Sequence, residues 1–336
     1  DLSSAASVVY KSQEWDGGNA EIELVAEVVE PRGSEEDLEQ ITDMMGSYTT
    51  NYKDSGQNRC DNISNATSKI NGTLLYPGEE FSVYEAIGPL DAANGYELAG
   101  AYENGQTVES YGGGVCQVST TLYNAVILAE LEITQRSNHS MIVSYVKPSM
   151  DAAIAGDYKD LRFVNNQDIP IYIEGYTEGK NVTFKIYGHD TRPSNRVVTY
   201  ESEVVSEQDP GTQYVATGDP AGYMKTAQGK HIGYVARLWK VVTVDGVEES
   251  REIFNKSTYK ASPKIVNVGT ASADPNVSAV IGAALATGDE ATINAAVAPY
   301  AASAAAILNP APVEQPSQEE QPITGTVVEI QITGGE

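Results

Sequence analysis

A thiol stands directly behind three glycines in Gly112-Gly113-Gly114-Val115-Cys116-Gln117. Val118, Leu122, Ala125, Val126 and Ala129 then recur at three- and four-residue steps, the pattern of a helix with one buried face. Cys116 is therefore expected in the first turn of a helix, after a tight bend. Unpaired amide hydrogens and the positive helix end favour an anion there, which lowers a thiol toward thiolate and makes it nucleophilic. Among three histidines, His139 is the best proton acceptor, because it follows the helix and a short loop. An antiparallel return would bring it beside the helix start. Asp151 or Asp160 could orient its imidazole, as could a backbone carbonyl or Asn138. The competing reading is an inert, packed Cys116, since free cysteine usually behaves as a small buried hydrophobe.

The elbow itself, Gly113, Gly114 and Gln117, offers amides that can hold an oxyanion, with Gln117 as a donor or as a support of the bend. Arg59 and Arg136 are candidates for gripping a carboxylate in two places, against the alternative of ordinary ion pairs. A metal site is not expected, because the histidines are isolated and neither a two-cysteine spacing nor His-Glu-x-x-His occurs. No cofactor is expected either: no Gly-Lys-Ser or Gly-Lys-Thr follows the glycines, and no dinucleotide pattern is present.

The elements that must carry these residues are short and mixed. The alternating run at 20–29 reads as a strand, and residues 1–40 as the end of an upstream domain or a linker. Ser34 with Glu35, Glu36 and Asp37 reads as a capped helix ending near Gly46. A helix over Asn62–Ile70, a short strand at Phe81–Val83 and a glycine-punctuated loop lead to the Cys116 helix. Met141–Val146 reads as a strand ended by Pro148, and Leu161–Asn165 as a short extended piece. The runs 169–173 and 182–187 pair as a hairpin. The whole makes an α+β domain over 41–190. Residues 191–270 hold β-like runs at 196–201, 233–242 and 259–268, a small all-β unit. Residues 271–336, with no Lys or Arg, read as an Ala-, Pro- and Glu-rich flexible tail.

Composition limits the partners. Among 336 residues, 47 are acidic and 21 are Lys or Arg, a net charge of -26, which opposes nucleic acid and anionic membrane surfaces. Tyr outnumbers Phe by 20 to 4, as suits an exported, β-rich protein. No run of 18 continuous apolar residues occurs, so direct membrane insertion within this sequence is not expected. A chain that opens on Asp1 reads as a processed extracytoplasmic piece with its targeting or anchoring segment outside this sequence. Cys60 and Cys116 allow one disulfide at most, and such a bond would block the nucleophile.

Residues 41–188 resemble a VanW-domain protein. The matching residues are Tyr48-Thr49-Thr50, Arg59, Asn62-Ile63, Ile70-Asn71-Gly72-Thr73, Pro77-Gly78-Glu79, Phe81-Ser82 and Gly95-Tyr96. They continue through 112–124, Arg136, His139-Ser140, Tyr145-Val146 and Asp160-Leu161-Arg162-Phe163-Asn165. Residues 196–270 resemble a G5 domain, chiefly at Tyr259-Lys260-Ala261-Ser262-Pro263 and Val268-Gly269-Thr270. The opening segment resembles the end of a peptidoglycan-binding repeat. One departure stands out: Ser149 occupies the usual glycine of Pro-Gly-x-Asp-Ala-Val. The resemblance implies a wall-facing bacterial protein whose partners are peptidoglycan stem peptides and glycan. It implies L,D-transpeptidation that makes 3-3 cross-links through a Cys116 thioester. Arg59, Arg136, Gln117 and Tyr145 would then contact the substrate. The alternatives are a non-catalytic wall-binding module and a cysteine-dependent carboxypeptidase or endopeptidase, in which water resolves the thioester.

Overall fold

The computed structural model describes residues 34–103, 106–156 and 158–308. The strand expected at 20–29 lies outside the described residues. One compact unit takes the chain up to Thr212 together with Gln228–Lys264, and a second takes Gln213–Ala227 and the chain from Ile265 on.

In the first unit, helix α1 (Glu35–Glu39) is capped by Ser34 and Asp37, which bond each other's backbone amides. It stops well before Gly46, because Asp43–Asn51 is strand β1. There Gly46 is needed for space: a Cβ would run into the carbonyl of Ala125. Helix α2 (Gln57–Ile70), strands β2 (Thr73–Leu75) and β3 (Glu80–Ser82) and helix α3 (Val83–Ile87) follow. A two-stranded ribbon, β4 (Leu98–Glu103) with β5 (Gln106–Tyr111), leads into helix α4 (Val115–Leu128). Strands β6 (Glu132–Gln135), β7 (Arg162–Val164), β8 (Ile171–Glu178) and β9 (Asn181–Gly188) complete the α+β region. The strands form one sheet in the order β1-β9-β8-β2 and another in the order β3-β7-β6. Ile63, Ala66 and Ile70 of α2 and Val118, Leu122, Ala125 and Val126 of α4 are buried in one core with Ile171, Ile173, Phe184 and Ile186. Each large aliphatic side chain so buried contributes about 1.5–3 kcal/mol.

The strand expected at Met141–Val146 is absent; that segment is irregular backbone. What replaces it is a run of extended chain laid along α4. Asn124 Nδ2 donates to the Met150 carbonyl at 2.8 Å, Thr120 Oγ1 accepts from the Ala152 amide at 3.0 Å, and Cys116 Sγ accepts from the Ile154 amide at 3.4 Å. Four residues of helix rise about 6 Å, and two residues of extended chain span nearly the same length. The two repeats therefore stay in step from Asn124 down to Cys116.

Six strands follow: β10 (Arg196–Gln208), β11 (Thr212–Pro220), β12 (Met224–Gln228), β13 (Gly233–Val244), β14 (Val247–Tyr259) and β15 (Lys264–Ala271). Strands β10-β13-β14 make an antiparallel sheet within the first unit. That sheet is fastened to the α+β region by Glu130, which pairs with Arg196, Arg192 and Lys240, and by Tyr200, whose hydroxyl donates to the Ile127 carbonyl at 2.8 Å.

The second unit holds the sheet β11-β15-β12 and three helices, α5 (Pro275–Thr287), α6 (Glu290–Val297) and α7 (Ala301–Leu308). The alanine-rich segment read as flexible tail is thus folded through Leu308. Asp274 and Asp289 cap α5 and α6, and Ile281, Ile293 and Val297 bury against Val266 and Val268. Among the described residues one helical run, Glu290–Leu308, is long and apolar enough by length and composition to cross a membrane. It lies inside the sequence, whereas an anchor was expected outside it. Its Ile293, Val297 and Ala304 are buried in the fold.

Candidate active site

Cys116 is the second residue of α4, and Gly114 is the cap residue with φ 116°. No side chain caps this end; the Val115 and Gln117 amides are taken by the Gly112 and Gly114 carbonyls at 3.0 and 2.9 Å. The glycines are demanded by neighbours. A Cβ on Gly113 would stand 2.6 Å from the Ala99 carbonyl oxygen, and one on Gly114 would stand 3.0 Å from Arg59 Cγ and 3.1 Å from Ile63 Cγ1. Helix α2 and strand β4 therefore press directly on the bend that presents Cys116.

His139 and Asp151 are buried, while Cys116 is partly accessible. The His139 imidazole neighbours Cys116 on one side, close enough for each group to favour the charged form of the other. On the other, Nδ1 lies 2.7 Å from Asp151 Oδ2. With Nδ1 committed to the carboxylate, Nε2 is left for the thiol and for the Tyr145 hydroxyl at 3.4 Å. Asp151 Oδ2 also accepts from the His139 backbone amide at 2.7 Å. Of the two aspartates that could orient the imidazole, the structure brings Asp151 to it. Asp160 is elsewhere, accepting from Ser82 Oγ at 2.6 Å and the Tyr84 amide at 2.9 Å and pairing with Arg162. It organises the start of α3.

Burial alone would push the Cys116 thiol up, but the hydrogen bond to His139 and the charge on its ring outweigh burial and bring it below its ordinary value. Burial alone would lower His139; its bonds to Asp151 and Cys116 outweigh this and raise it to about 9. Burial opposes the charge on Asp151 as well, yet His139 and Arg136 hold its carboxyl below the usual range. All three directions favour a thiolate beside an imidazolium beside a carboxylate.

The two arginines have different surroundings. Arg136 is buried and fully engaged: Nε donates to the Asp151 carbonyl at 2.7 Å, Nη2 to Asp151 Oδ1 at 3.0 Å and Nη1 to Ser257 Oγ at 2.9 Å. Each of its three nitrogens is bound to Asp151 or Ser257, and with a side chain only 8% exposed it is a support of Asp151 rather than the open carboxylate grip expected of it. Arg59 donates to Ser55 Oγ at 2.7 Å and to Gln117 Oε1 at 2.8 Å, and among the described residues no carboxylate pairs with it. The Gln117 side chain is buried, donating to Thr50 Oγ1 and the Asn51 carbonyl, each at 3.0 Å, and its backbone amide is taken by the Gly114 carbonyl. Gln117 thus supports the elbow and Arg59; it is not a free oxyanion donor. Cys60 lies in α2, and both cysteines are free thiols. Among the described residues no group of three or more His, Cys, Asp and Glu is arranged to hold a metal ion.

Sequence reasoning missed Tyr259, whose hydroxyl donates to Asp151 Oδ1. The signal was present in Tyr259-Lys260-Ala261-Ser262-Pro263, where it was read as a mark of the second domain alone.

Residues 58–187 match the family described as VanW like protein, and residues 199–271 match the G5 domain. The uncharacterized protein YoaR of Bacillus subtilis is 35% identical over 174 residues, which cover 52% of this chain and 57% of that protein. The vancomycin B-type resistance protein VanW of Enterococcus faecalis is 30% identical over 118 residues, covering 33% of this chain and 42% of the relative. The chain thus spans about half the length of the curated relatives it matches. The IgA1 protease G5 domain structure is 26% identical and covers 23% of this chain and 94% of its own, at a TM-score of 0.17. The HP0197-G5 crystal structure is 14% identical and covers 23% and 100%, at 0.15. Scores that low carry no argument about the fold. The two sequence matches do: residues 58–187 are a VanW-like domain and residues 199–271 a G5 domain.

Proposed function

We propose that this chain is a cysteine-dependent acyltransferase of the bacterial cell wall, an L,D-transpeptidase that forms 3-3 cross-links between peptidoglycan stems. One observation carries the reading: at the start of α4, His139 is bonded through Nδ1 to Asp151 at 2.7 Å and favours the thiolate of the neighbouring Cys116. A nucleophile, a base and an orienting group in contact are what acyl transfer requires.

In the first half-reaction the Cys116 thiolate attacks the carbonyl carbon after the third stem residue. The carbon–nitrogen bond to the terminal D-alanine breaks, and the His139 imidazolium gives its proton to the leaving amine. The Cys116 backbone amide, in the first turn of α4, holds the oxyanion. In the second half-reaction an amine from a neighbouring stem attacks the thioester, His139 takes its proton, and the thiolate returns. One amide bond replaces another, with no net oxidation. Arg59, a cation with only neutral partners beside the α4 start, is the residue for a stem carboxylate. Such a substrate places the protein outside the cytoplasm, with the G5 domain adding contact to the glycan.

The test is intact-protein mass spectrometry with muropeptide analysis after incubation with disaccharide tetrapeptide, alongside Cys116→Ala. A Cys116-dependent adduct with cross-linked dimer is expected. An adduct that yields only shortened monomer would make the protein a hydrolase. Wall binding by folded, reduced protein with neither adduct nor product would leave a binding module and refute the catalytic reading.

A further inference from the structure

The catalytic line described above does not end inside the VanW-like domain. Asp151 Oδ2 is filled by the amide and Nδ1 of His139, and Oδ1 accepts from Arg136 Nη2 at 3.0 Å and from the Tyr259 hydroxyl. A carboxylate offers about four acceptor positions, so all are occupied and the plane of the group is fixed. The Tyr259 hydroxyl also accepts from the Ser149 amide at 2.7 Å. One bond in and one bond out determine where its proton points.

The strand that carries Tyr259 makes the same kind of contact at four consecutive residues. Ser257 Oγ accepts from Arg136 at 2.9 Å, the Thr258 carbonyl accepts from Asn138 Nδ2 at 2.9 Å, and the Lys260 amide donates to the Ser140 carbonyl at 2.7 Å. Asn138 and Ser140 flank His139. Ser257 and Tyr259 are buried and Thr258 is exposed, the alternation of a strand with one face inward. The end of β14 and the residue after it thus grip the loop of the base on both sides and the orienting carboxylate between.

We propose that Tyr259, a residue of the G5 domain, is a positioning residue for the Cys116–His139–Asp151 line, so that the catalytic centre is completed by the neighbouring domain. The proposal rests on the acyl-transfer reading for its consequence in turnover, but the geometry of the line can be tested without it. Tyr259 fixes the Asp151 carboxylate, the carboxylate fixes Nδ1 of His139, and the imidazolium so held keeps Cys116 ionised. Tyr259 touches neither the thiol nor the substrate.

The experiment compares the pH dependence of Cys116 alkylation by iodoacetamide in the full chain, wild type against Tyr259→Phe. Losing one hydrogen bond to a charged group is expected to slow alkylation roughly tenfold near pH 6, with the two profiles converging above the ordinary thiol range. In turnover, kcat falls and KM stays. Tyr200→Phe is the control: it removes a hydroxyl of the same sheet that bonds the Ile127 carbonyl, far along α4 from the thiol. It should lower the melting temperature and leave the alkylation profile in place. If Tyr259→Phe is too unstable, the same change is read in a Ser149→Gly background, which relieves a left-handed backbone. Superimposable profiles for wild type and folded Tyr259→Phe would overturn the proposal, as would an equal shift in Tyr200→Phe. Wild-type protein that shows a depressed thiol but no adduct with stem peptide would defeat the acyl-transfer reading and leave the positioning role to be read from alkylation alone.

Discussion

Ser149 offers a stabilising substitution whose size can be worked from its surroundings. Its φ is 67°, in the left-handed region that a side chain with a Cβ enters at a cost of about 1–2 kcal/mol. It is fully buried, and its Oγ has no hydrogen-bond partner, which costs about 1–3 kcal/mol more. Its amide and carbonyl are both used, by the Tyr259 hydroxyl and Asn255 Nδ2, so the backbone conformation itself must be kept. Ser149→Gly keeps that backbone and removes the other two costs. Against this stand about 0.4–1 kcal/mol of extra chain entropy in the unfolded state and the lost packing of one carbon, about 1 kcal/mol. The two costs sum to about 2–5 kcal/mol and the two offsets to about 1.4–2 kcal/mol, so the net expectation is centred near 2 kcal/mol of stabilisation. For a unit of this size that is a rise of roughly 2–8 °C in the midpoint of the transition it belongs to. Urea titration followed by tyrosine fluorescence and circular dichroism would measure it. A loss of stability would refute the reasoning, and would mean that the hydroxyl has a partner worth more than the strain it accompanies.

Three further outcomes follow from the site. His139, raised to about 9, stays protonated through neutrality, so the acid proposed to release the leaving amine is lost only as the pH climbs past that value. The pH–rate profile should fall on its alkaline side near there; an inflection at the ordinary imidazole value would contradict the Asp151 and Cys116 contacts. Asp151 is depressed below its ordinary 3.8, so its stabilisation is fully present above that value and is lost as the pH falls through the depressed one. Asp151→Ala leaves Arg136 buried without its carboxylate and should cost about 3–5 kcal/mol by urea denaturation near neutrality, narrowing toward wild type in acid. Arg59→Gln should raise KM for stem peptides roughly tenfold, the value of one charge-assisted contact, without slowing alkylation of Cys116. Unchanged KM would remove Arg59 from the substrate.

The bend, the helix behind Cys116 and the β8–β9 hairpin were legible in sequence because each is specified locally, by glycines, by a three-to-four-residue repeat and by alternation. The return of His139 toward Cys116 was legible as topology, but its supports were not. Residues 136–154 are held by side chains reaching to backbone, as Asn124 does to Met150, and such pairing leaves no periodic trace. The choice between Asp151 and Asp160 depended on Ser82, Tyr84 and Arg162 claiming the second aspartate. Strand β14 was missed because Glu248-Glu249-Ser250-Arg251-Glu252 is polar on both faces. The folding of the alanine-rich helices was hidden for the opposite reason: small residues show little pattern until Val266 and Val268 supply something to pack on.

The G5 domain, residues 199–271, does not coincide with either compact unit, since the chain passes from one to the other near Thr212, near Ala227 and again near Lys264. Severing any one of those passages leaves two covalent routes intact. The last of these passages comes only four residues after Lys260, so the chain leaves the first unit directly behind Tyr259 and Lys260, the strand end that holds Asp151 and the His139 loop.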